Sequence, residues 1–286
     1  MTTPSTDDGL TIIAETGASH GHSYAKCLAL IHAARLAGAD AVKFSAFRAD
    51  EMTADSQEPP FLIANGPWKG RSLYNLYKQS ALPYEWLPDI KRAAQSAGLK
   101  FILSIYHPNT VPLLAELGVH TVKIASFELN FPDFLLAVAQ SSVSNVIAST
   151  GSSTIPEIEQ AVRILSNKHL TLLHCVSAYP ALPEEMNLHT MIDMQIRFKV
   201  PVGLSDHTTG MNAPVCAGAL GASVIEKHIK IDEDGLDSSF AILPDRFAGM
   251  VQVCRQAKTM LGKAVYDRPK AYHRKQIKDR MLRVVW

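Results

Sequence analysis

Short apolar runs alternate along the chain with longer segments in which apolar residues recur every three or four positions, and the alternation repeats eight times. The runs are 11–15, 41–44, 101–105, 121–125, 145–149, 170–175, 200–205 and 223–227. Each is rich in Val, Ile or Leu, as a strand covered on both faces must be. Segments with a helical period lie between them, among them 25–37, 85–97, 108–117, 132–139, 155–164 and 213–220. Gly38, Gly98, Gly118 and Gly221 stand where several of these helices must end, placed to act as left-handed C-caps. Strict β–α alternation of this length predicts an α/β fold, a single (β/α)8 TIM barrel. It spans 11–265, after an N-terminal segment 1–10 expected to be flexible and before a basic tail over 266–286. An open doubly wound sheet is the competing architecture, but no glycine-rich dinucleotide fingerprint follows any of the runs.

A barrel carries its chemistry at the C-terminal ends of its strands. Those ends hold Glu15, Lys43, Ser104, Lys123 with Ser126 and Glu128, Ser149, Ser205 with His207, and Glu226 with His228. Alternate strand residues share a face, so Ser205 points with His207 and Glu226 with His228. Two imidazoles arriving from neighbouring strands make a candidate metal site, since neutral imidazole is the commonest nitrogen ligand of a divalent ion. Lys43 and Lys123, with the hydroxyls of Ser104, Ser126, Ser149 and Ser205, read as a cradle for a phosphate or carboxylate. Each charge taken alone could be a structural ion pair; their convergence favours an anionic ligand. His174 and Cys175 close the sixth run and read as residues of the wall.

Composition narrows the classes. The chain has 286 residues, 47 % hydrophobic and 19 % charged, enough for a large core. A formal net charge of +1 gives no reason to expect nucleic acid or an anionic membrane as partner. No apolar stretch reaches the roughly 18 residues that span a bilayer. The polar, acidic start Met-Thr-Thr-Pro-Ser-Thr-Asp-Asp does not read as a secretory signal. Cys27, Cys175, Cys216 and Cys254 lie far apart, which suits reduced thiols and a cytoplasmic location.

Several motifs carry a resemblance. Ile-Ile-Ala-Glu-Thr-Gly-Ala-Ser-His-Gly (12–21), Gly-Ala-Asp-Ala-Val-Lys-Phe (38–44), Leu-Gly-Val-His-Thr-Val-Lys-Ile-Ala-Ser-Phe-Glu (117–128) and Ala-Ser-Thr-Gly (148–151) are followed by three more. These are Leu-Leu-His-Cys-Val-Ser-Ala-Tyr-Pro (172–180), Pro-Val-Gly-Leu-Ser-Asp-His-Thr-Thr-Gly (201–210) and Gly-Ala-Ser-Val-Ile-Glu-Lys-His (221–228). In this order, over roughly 11–262, they resemble the sialic acid (N-acetylneuraminate) synthases and their nonulosonate relatives. The resemblance implies condensation of phosphoenolpyruvate with an open-chain amino sugar such as N-acetylmannosamine, with release of phosphate. It implies a divalent metal, Mn2+ with Mg2+ or Co2+ as alternatives, held by His207 and His228. It implies that Lys43, Lys123 and Ser104, Ser126, Ser149 and Ser205 bind phosphoenolpyruvate. Glu15 is expected to orient or deprotonate the water that adds to C2, and Glu128 to deliver a proton near the aldehyde oxygen. Tyr179, Asp237, His20 and Ser45 match positions that contact the sugar, and a homodimer is expected. His22 is expected to face solvent, and Asp206 either to orient an imidazole or to cap a loop.

The chain departs from the family in two contacts. Ser19 stands where the family carries Asn, and Ser45 where it carries Gln; both exchange an amide for a small hydroxyl, which points to a changed acceptor. Family members usually carry an antifreeze-like domain that supplies an arginine to the sugar; the tail reads either as a solvated helix or as the source of a substitute in Arg274, Arg280 or Arg283. The connection 46–83 reads as a long lid, with Lys69 and Arg71 either as contacts to an acidic or phosphorylated acceptor or as solvated surface charges. The alternatives are a 3-deoxy-ulosonate phosphate synthase acting on a phosphorylated aldose, a Schiff-base aldolase using Lys123 or Lys43, and a non-catalytic sugar-binding barrel.

Overall fold

The computed structural model describes residues 9–66, 68–264 and 266. Eight parallel strands close into one barrel in sequence order: β1 (Thr11–Glu15), β2 (Ala41–Ala46), β3 (Lys100–Ile105), β4 (Thr121–Ile124), β5 (Asn145–Ser149), β6 (His169–Cys175), β7 (Val202–Asp206) and β8 (Val224–His228). Closure is made by β1 against β8, where Glu15 lies in register with His228. Around them run α1 (Tyr24–Leu36), α2 (Ala49–Met52), α3 (Leu73–Ser80), α4 (Leu87–Ser96), α5 (Val111–Glu116), α6 (Pro132–Gln140), α7 (Ile155–Ile164), α8 (Thr190–Phe198), α9 (Asn212–Ala219) and α10 (Pro244–Leu261). None of these helices is long and apolar enough to cross a membrane.

Local chemistry sets the boundaries. Thr154 and Glu157 form a reciprocal capping box at the start of α7, with Pro156 in its first turn, and this helix begins and ends where its apolar period does. Gly38, Gly98, Gly118 and Gly221 all have φ between +57° and +89°, so the expected left-handed helix ends are present. The connection after β2 differs from the expected long lid without structure of its own. It contains α2, a 3-10 turn at Pro59–Phe61, and α3, whose cap Ser72 accepts from the Asn75 N–H. Of α3 only Leu76 is buried, so eight residues carry too little apolar period to reveal a helix.

The strands read as continuous apolar runs because both of their faces are covered. Outward residues such as Ile12, Val42, Phe44, Leu103, Val146 and Leu204 pack against the helices in the main core. Inward residues divide into layers. Ile13, Ala41, Ile102, Ile147, Leu173 and Val224 form a separate apolar plug inside the barrel. Two residues further along each strand the inward side chain turns polar: Glu15, Lys43, Ser104, Ser149, Cys175 and Glu226. The plug gives that polar layer a dry floor.

Candidate active site

Above the plug, the C-terminal strand ends enclose a cavity of about 750 Å³. Its base is an ion-pair lattice. Lys43 Nζ lies 2.5 Å from Glu15 Oε2 and 3.3 Å from Glu226 Oε1, and Lys123 Nζ lies 3.8 Å from the same Glu226 oxygen. Lys123 donates to Ser149 Oγ at 2.7 Å and to the Ile124 carbonyl at 3.1 Å, and Ser205 donates to Glu226 Oε1 at 3.0 Å. Burial pulls the Lys43 ammonium down to about 8, against the pull of Glu226. Burial pushes the Glu226 carboxyl up, but Lys123 and Lys43 outweigh it and hold the group ionised, below the ordinary carboxylate range. Ser126 accepts from the Gly151 N–H at 3.1 Å, which leaves its own proton free to face an anion. Ser149 is in the same position, because its oxygen is taken by Lys123.

Over this base stand the two histidines, ring centroids 5.3 Å apart. His207 Nδ1 lies 3.1 Å from the Val176 carbonyl, and His228 Nδ1 lies 2.9 Å from Asp237 Oδ2. Both partners are acceptors, so both rings are assigned Nδ1–H tautomers with the lone pair on Nε2. Burial lowers both imidazoles, His207 to about 4, and keeps them neutral. This donor set fits the expected divalent ion: two neutral nitrogens, each with its second nitrogen anchored. Among the described residues no group of three His, Cys, Asp or Glu side chains surrounds one point. His207 and His228 would therefore hold the ion with water and substrate completing its shell. Asp237 also accepts from the Ala18 N–H at 2.9 Å and passes directly over Gly17, where a β-carbon would collide with both Asp237 and His228. Gly17 has φ +44°, and its N–H donates to Glu15 Oε1 at 2.6 Å.

Glu128 sits in the 3-10 turn Ser126–Glu128 after β4, its Oε2 buried without a hydrogen-bond partner. Burial raises its carboxyl to about 7, with Lys123 opposing. A carboxyl that shares its proton near neutral pH is suited to general acid work. Away from the base the wall is largely apolar: Met52, Ile63, Trp68, Leu73, Leu76 and Phe127 line it, beside Asn65, Tyr77 and Ser80. Trp68 reaches from the β2–α3 connection to Tyr179 and Phe240, and its indole N–H donates to the Leu236 carbonyl at 3.3 Å.

Most of the residues expected from the sequence converge here. Glu15, Glu128, Lys43, Lys123, Ser126, Ser149, Ser205, Ser45, Tyr179, Asp237, His207 and His228 all line the cavity. Others do not. Ser104 points inward but is fully buried and donates to the Lys123 carbonyl at 3.3 Å, and it is not part of the wall. His20 is buried outside the wall and accepts the His22 N–H at its Nδ1. His174 faces the helices, bonded to the Met186 carbonyl, and only Cys175 of that pair is in the wall. Asp206 touches no imidazole; its carboxylate caps Thr208 and pairs with Lys227 at 2.6 Å. Lys69 and Arg71 stay off the wall, Arg71 bonded to Gln79. Residues 1–8 of the N-terminal segment and 267–286 of the tail, with Arg274, Arg280 and Arg283, lie outside the described residues. Glu226, which the sequence places at the mouth but to which it assigns no role, is the hub of the lattice. Its signal was present: it lies two positions before His228 and shares its face.

The NeuB family model matches residues 30–266. Among curated proteins, the chain is 39 % identical to a pseudaminic acid synthase of Campylobacter jejuni over 267 residues, which cover 92 % of this chain and 78 % of that protein. It is 33 % identical to an N,N'-diacetyllegionaminic acid synthase of Legionella pneumophila over 260 residues, covering 88 % and 73 %. Among solved structures, an N-acetylneuraminic acid synthetase from Leptospira borgpetersenii in complex with citrate superposes with a TM-score of 0.82 at 30 % identity, covering 94 % of this chain and 90 % of that one. The cavity and these likenesses agree: the chain belongs to the NeuB family, a family of phosphoenolpyruvate-dependent synthases.

Proposed function

We propose that the chain condenses phosphoenolpyruvate with the open-chain aldehyde of an N-acylated, partly deoxygenated amino sugar, giving a nonulosonic acid and phosphate. The observation that carries this reading is the base of the cavity, where two lysines, two glutamates and two serine hydroxyls with free protons lie beneath two imidazoles. Lys43, Lys123, Ser126 and Ser149 bind the phosphate and carboxylate of phosphoenolpyruvate. His207 and His228 would hold a divalent ion, which would supply Lewis-acid polarisation of the acceptor aldehyde. Phosphoenolpyruvate C3 attacks the aldehyde carbon, forming the new carbon–carbon bond, and Glu128 gives its proton to the developing alkoxide. Glu15, held by Lys43 and the Gly17 N–H, orients water for addition at C2. Glu15 takes the first proton of that water; the C2–O bond then breaks, the bridging oxygen leaves with phosphate, and the second proton departs with the phosphate as the C2 ketone forms.

The acceptor class rests on the outer half of the cavity. Among the described residues the only cations on the wall are Lys43 and Lys123, both at the base and both within reach of carboxylates. A phosphorylated aldose requires a cation at the far end. Acyl and methyl substituents instead match Trp68, Ile63, Leu73 and Phe127. Acceptor-dependent phosphate release with Mn2+ tests the proposal. Chelator should abolish it, and borohydride with pyruvate should leave it intact. Inactivation by borohydride would point to a Schiff-base lysine instead.

A further inference from the structure

We infer that Phe240 is a positioning residue for the imidazole pair: it holds the planes of His207 and His228, and through it Trp68 ties the seating of the β2–α3 connection to divalent-ion binding. That role rests on the proposed ion site and goes beyond it, because neither Phe240 nor Trp68 can ligate an ion. Phe240 is buried in the cavity wall, within a cluster of five rings that also holds Trp68, Tyr179, His207 and His228. Among the described residues it is the one ring packed against all four others. Its centroid lies 4.8 Å from His228, 6.0 Å from His207, 5.2 Å from Tyr179 and 6.4 Å from Trp68. It stands at 73° to the His228 ring and 80° to the His207 ring, both edge-on contacts.

The backbone places this ring. The chain leaves β8 after His228 and returns at Ile242, whose N–H donates to the His228 carbonyl at 3.0 Å and whose carbonyl accepts the Lys230 N–H at 3.0 Å. Inside that excursion the Asp237 carbonyl accepts from the Phe240 N–H at 3.1 Å and the Ala241 N–H at 2.8 Å. One turn therefore brings both the Asp237 carboxylate and the Phe240 ring to His228. The two contacts constrain different motions. A hydrogen bond at Nδ1 fixes one ring atom and leaves the imidazole free to swing about that bond. His207, anchored by the Val176 carbonyl, has the same freedom. Two Nε2 lone pairs must aim at one point to share an ion, and a third ring packed edge-on against both removes the swing. Tyr179 also packs on His207, at 4.4 Å, so His228 depends on Phe240 most. Trp68 backs Phe240 from the far side of the cavity at 84°, with its indole N–H on the Leu236 carbonyl. Seating Trp68 steadies Phe240, and by linkage an ion that orders the imidazoles favours the seated Trp68.

The test is an EPR titration of Mn2+ with the full-length wild type, Phe240→Leu, Trp68→Ala, the double variant and Phe247→Leu. Phe240→Leu keeps an apolar side chain without a ring plane and should weaken Mn2+ binding about tenfold. Trp68→Ala should weaken it about threefold alone and less than about 1.5-fold beside Phe240→Leu. Phe247 lies in the main core, outside the cavity wall. Phe247→Leu should lower Tm yet leave Mn2+ affinity within about twofold of wild type, which separates positioning from a general loss of packing. Phe240→Met replaces Phe240→Leu should that variant fold poorly. Mn2+ affinity within about twofold of wild type in the Phe240 variants overturns the positioning role. A Trp68→Ala effect that persists undiminished beside Phe240→Leu overturns the coupling. No Mn2+ binding by wild type overturns the ion site itself, and this role with it.

Discussion

Glu128 gives the sharpest physical test, because its carboxyl binds its proton more tightly in the folded chain than in the unfolded one. The unfolded value is the ordinary 4.5 and the folded one about 7, raised by burial. The groups that sense its charge are Lys123, which opposes the shift, and Tyr77 and Tyr106. A raised carboxyl stabilises the fold fully below pH 4.5, and that contribution is lost as pH rises through 7. At about 1.4 kcal/mol per tenfold in proton affinity, the whole loss is on the order of 3 kcal/mol. Between pH 5 and pH 8.5 roughly 2.5 kcal/mol of it falls due. Glu128→Gln keeps the shape and cannot titrate, and Glu128 Oε2 has no hydrogen-bond partner to lose. Urea unfolding of both proteins at the two pH values should therefore show the variant gaining about 2.5 kcal/mol on wild type as pH rises. A stability difference that stays constant to within about 0.5 kcal/mol would mean that the Glu128 carboxyl is not raised in the folded chain, whatever the variant does to activity.

Three further outcomes follow from contacts around the site. Lys227→Met strands the Asp206 carboxylate between β7 and β8, both side chains having no exposed surface, and should cost about 3 kcal/mol or more by denaturant unfolding. Asp237→Asn removes the carboxylate that anchors His228 Nδ1, and should weaken Mn2+ binding 10- to 100-fold in an EPR titration with little change in Tm. Trp68→Ala opens the outer cavity and should raise the acceptor KM roughly tenfold while leaving the KM for phosphoenolpyruvate in place.

The barrel was legible because its strands are buried on both faces and its helices are punctuated. The fifth strand at Asn145–Ser149 and α7 at Ile155–Ile164 have the bounds that pattern and capping signals predict. Much of the cavity wall was legible for a related reason. Period two carries Ser205 with His207 and Glu226 with His228, and the barrel rule places them at one mouth. What remained hidden depends on tertiary cover. Ser104 has the residue type, position and direction of a ligand contact, yet it is fully buried with its proton on the Lys123 carbonyl. His20 and His174 are spent on local hydrogen bonds that no spacing announces. The meeting of Trp68, Tyr179 and Phe240 joins three loops far apart in sequence, and no local pattern encodes it. Polar residue types marked the chemistry; packing decided which of them face the substrate.

Condensation on the lysine–glutamate base cleaves the carbon–oxygen bond of phosphoenolpyruvate. The most direct measurement follows phosphoenolpyruvate labelled with 18O at its bridging oxygen, incubated with Mn2+ and an N-acylated amino sugar, with the released phosphate analysed by mass spectrometry. The phosphate should carry the label, form only when the sugar is present and appear in equal amount to the sugar acid. Unlabelled phosphate, or release that does not depend on the sugar, would contradict it.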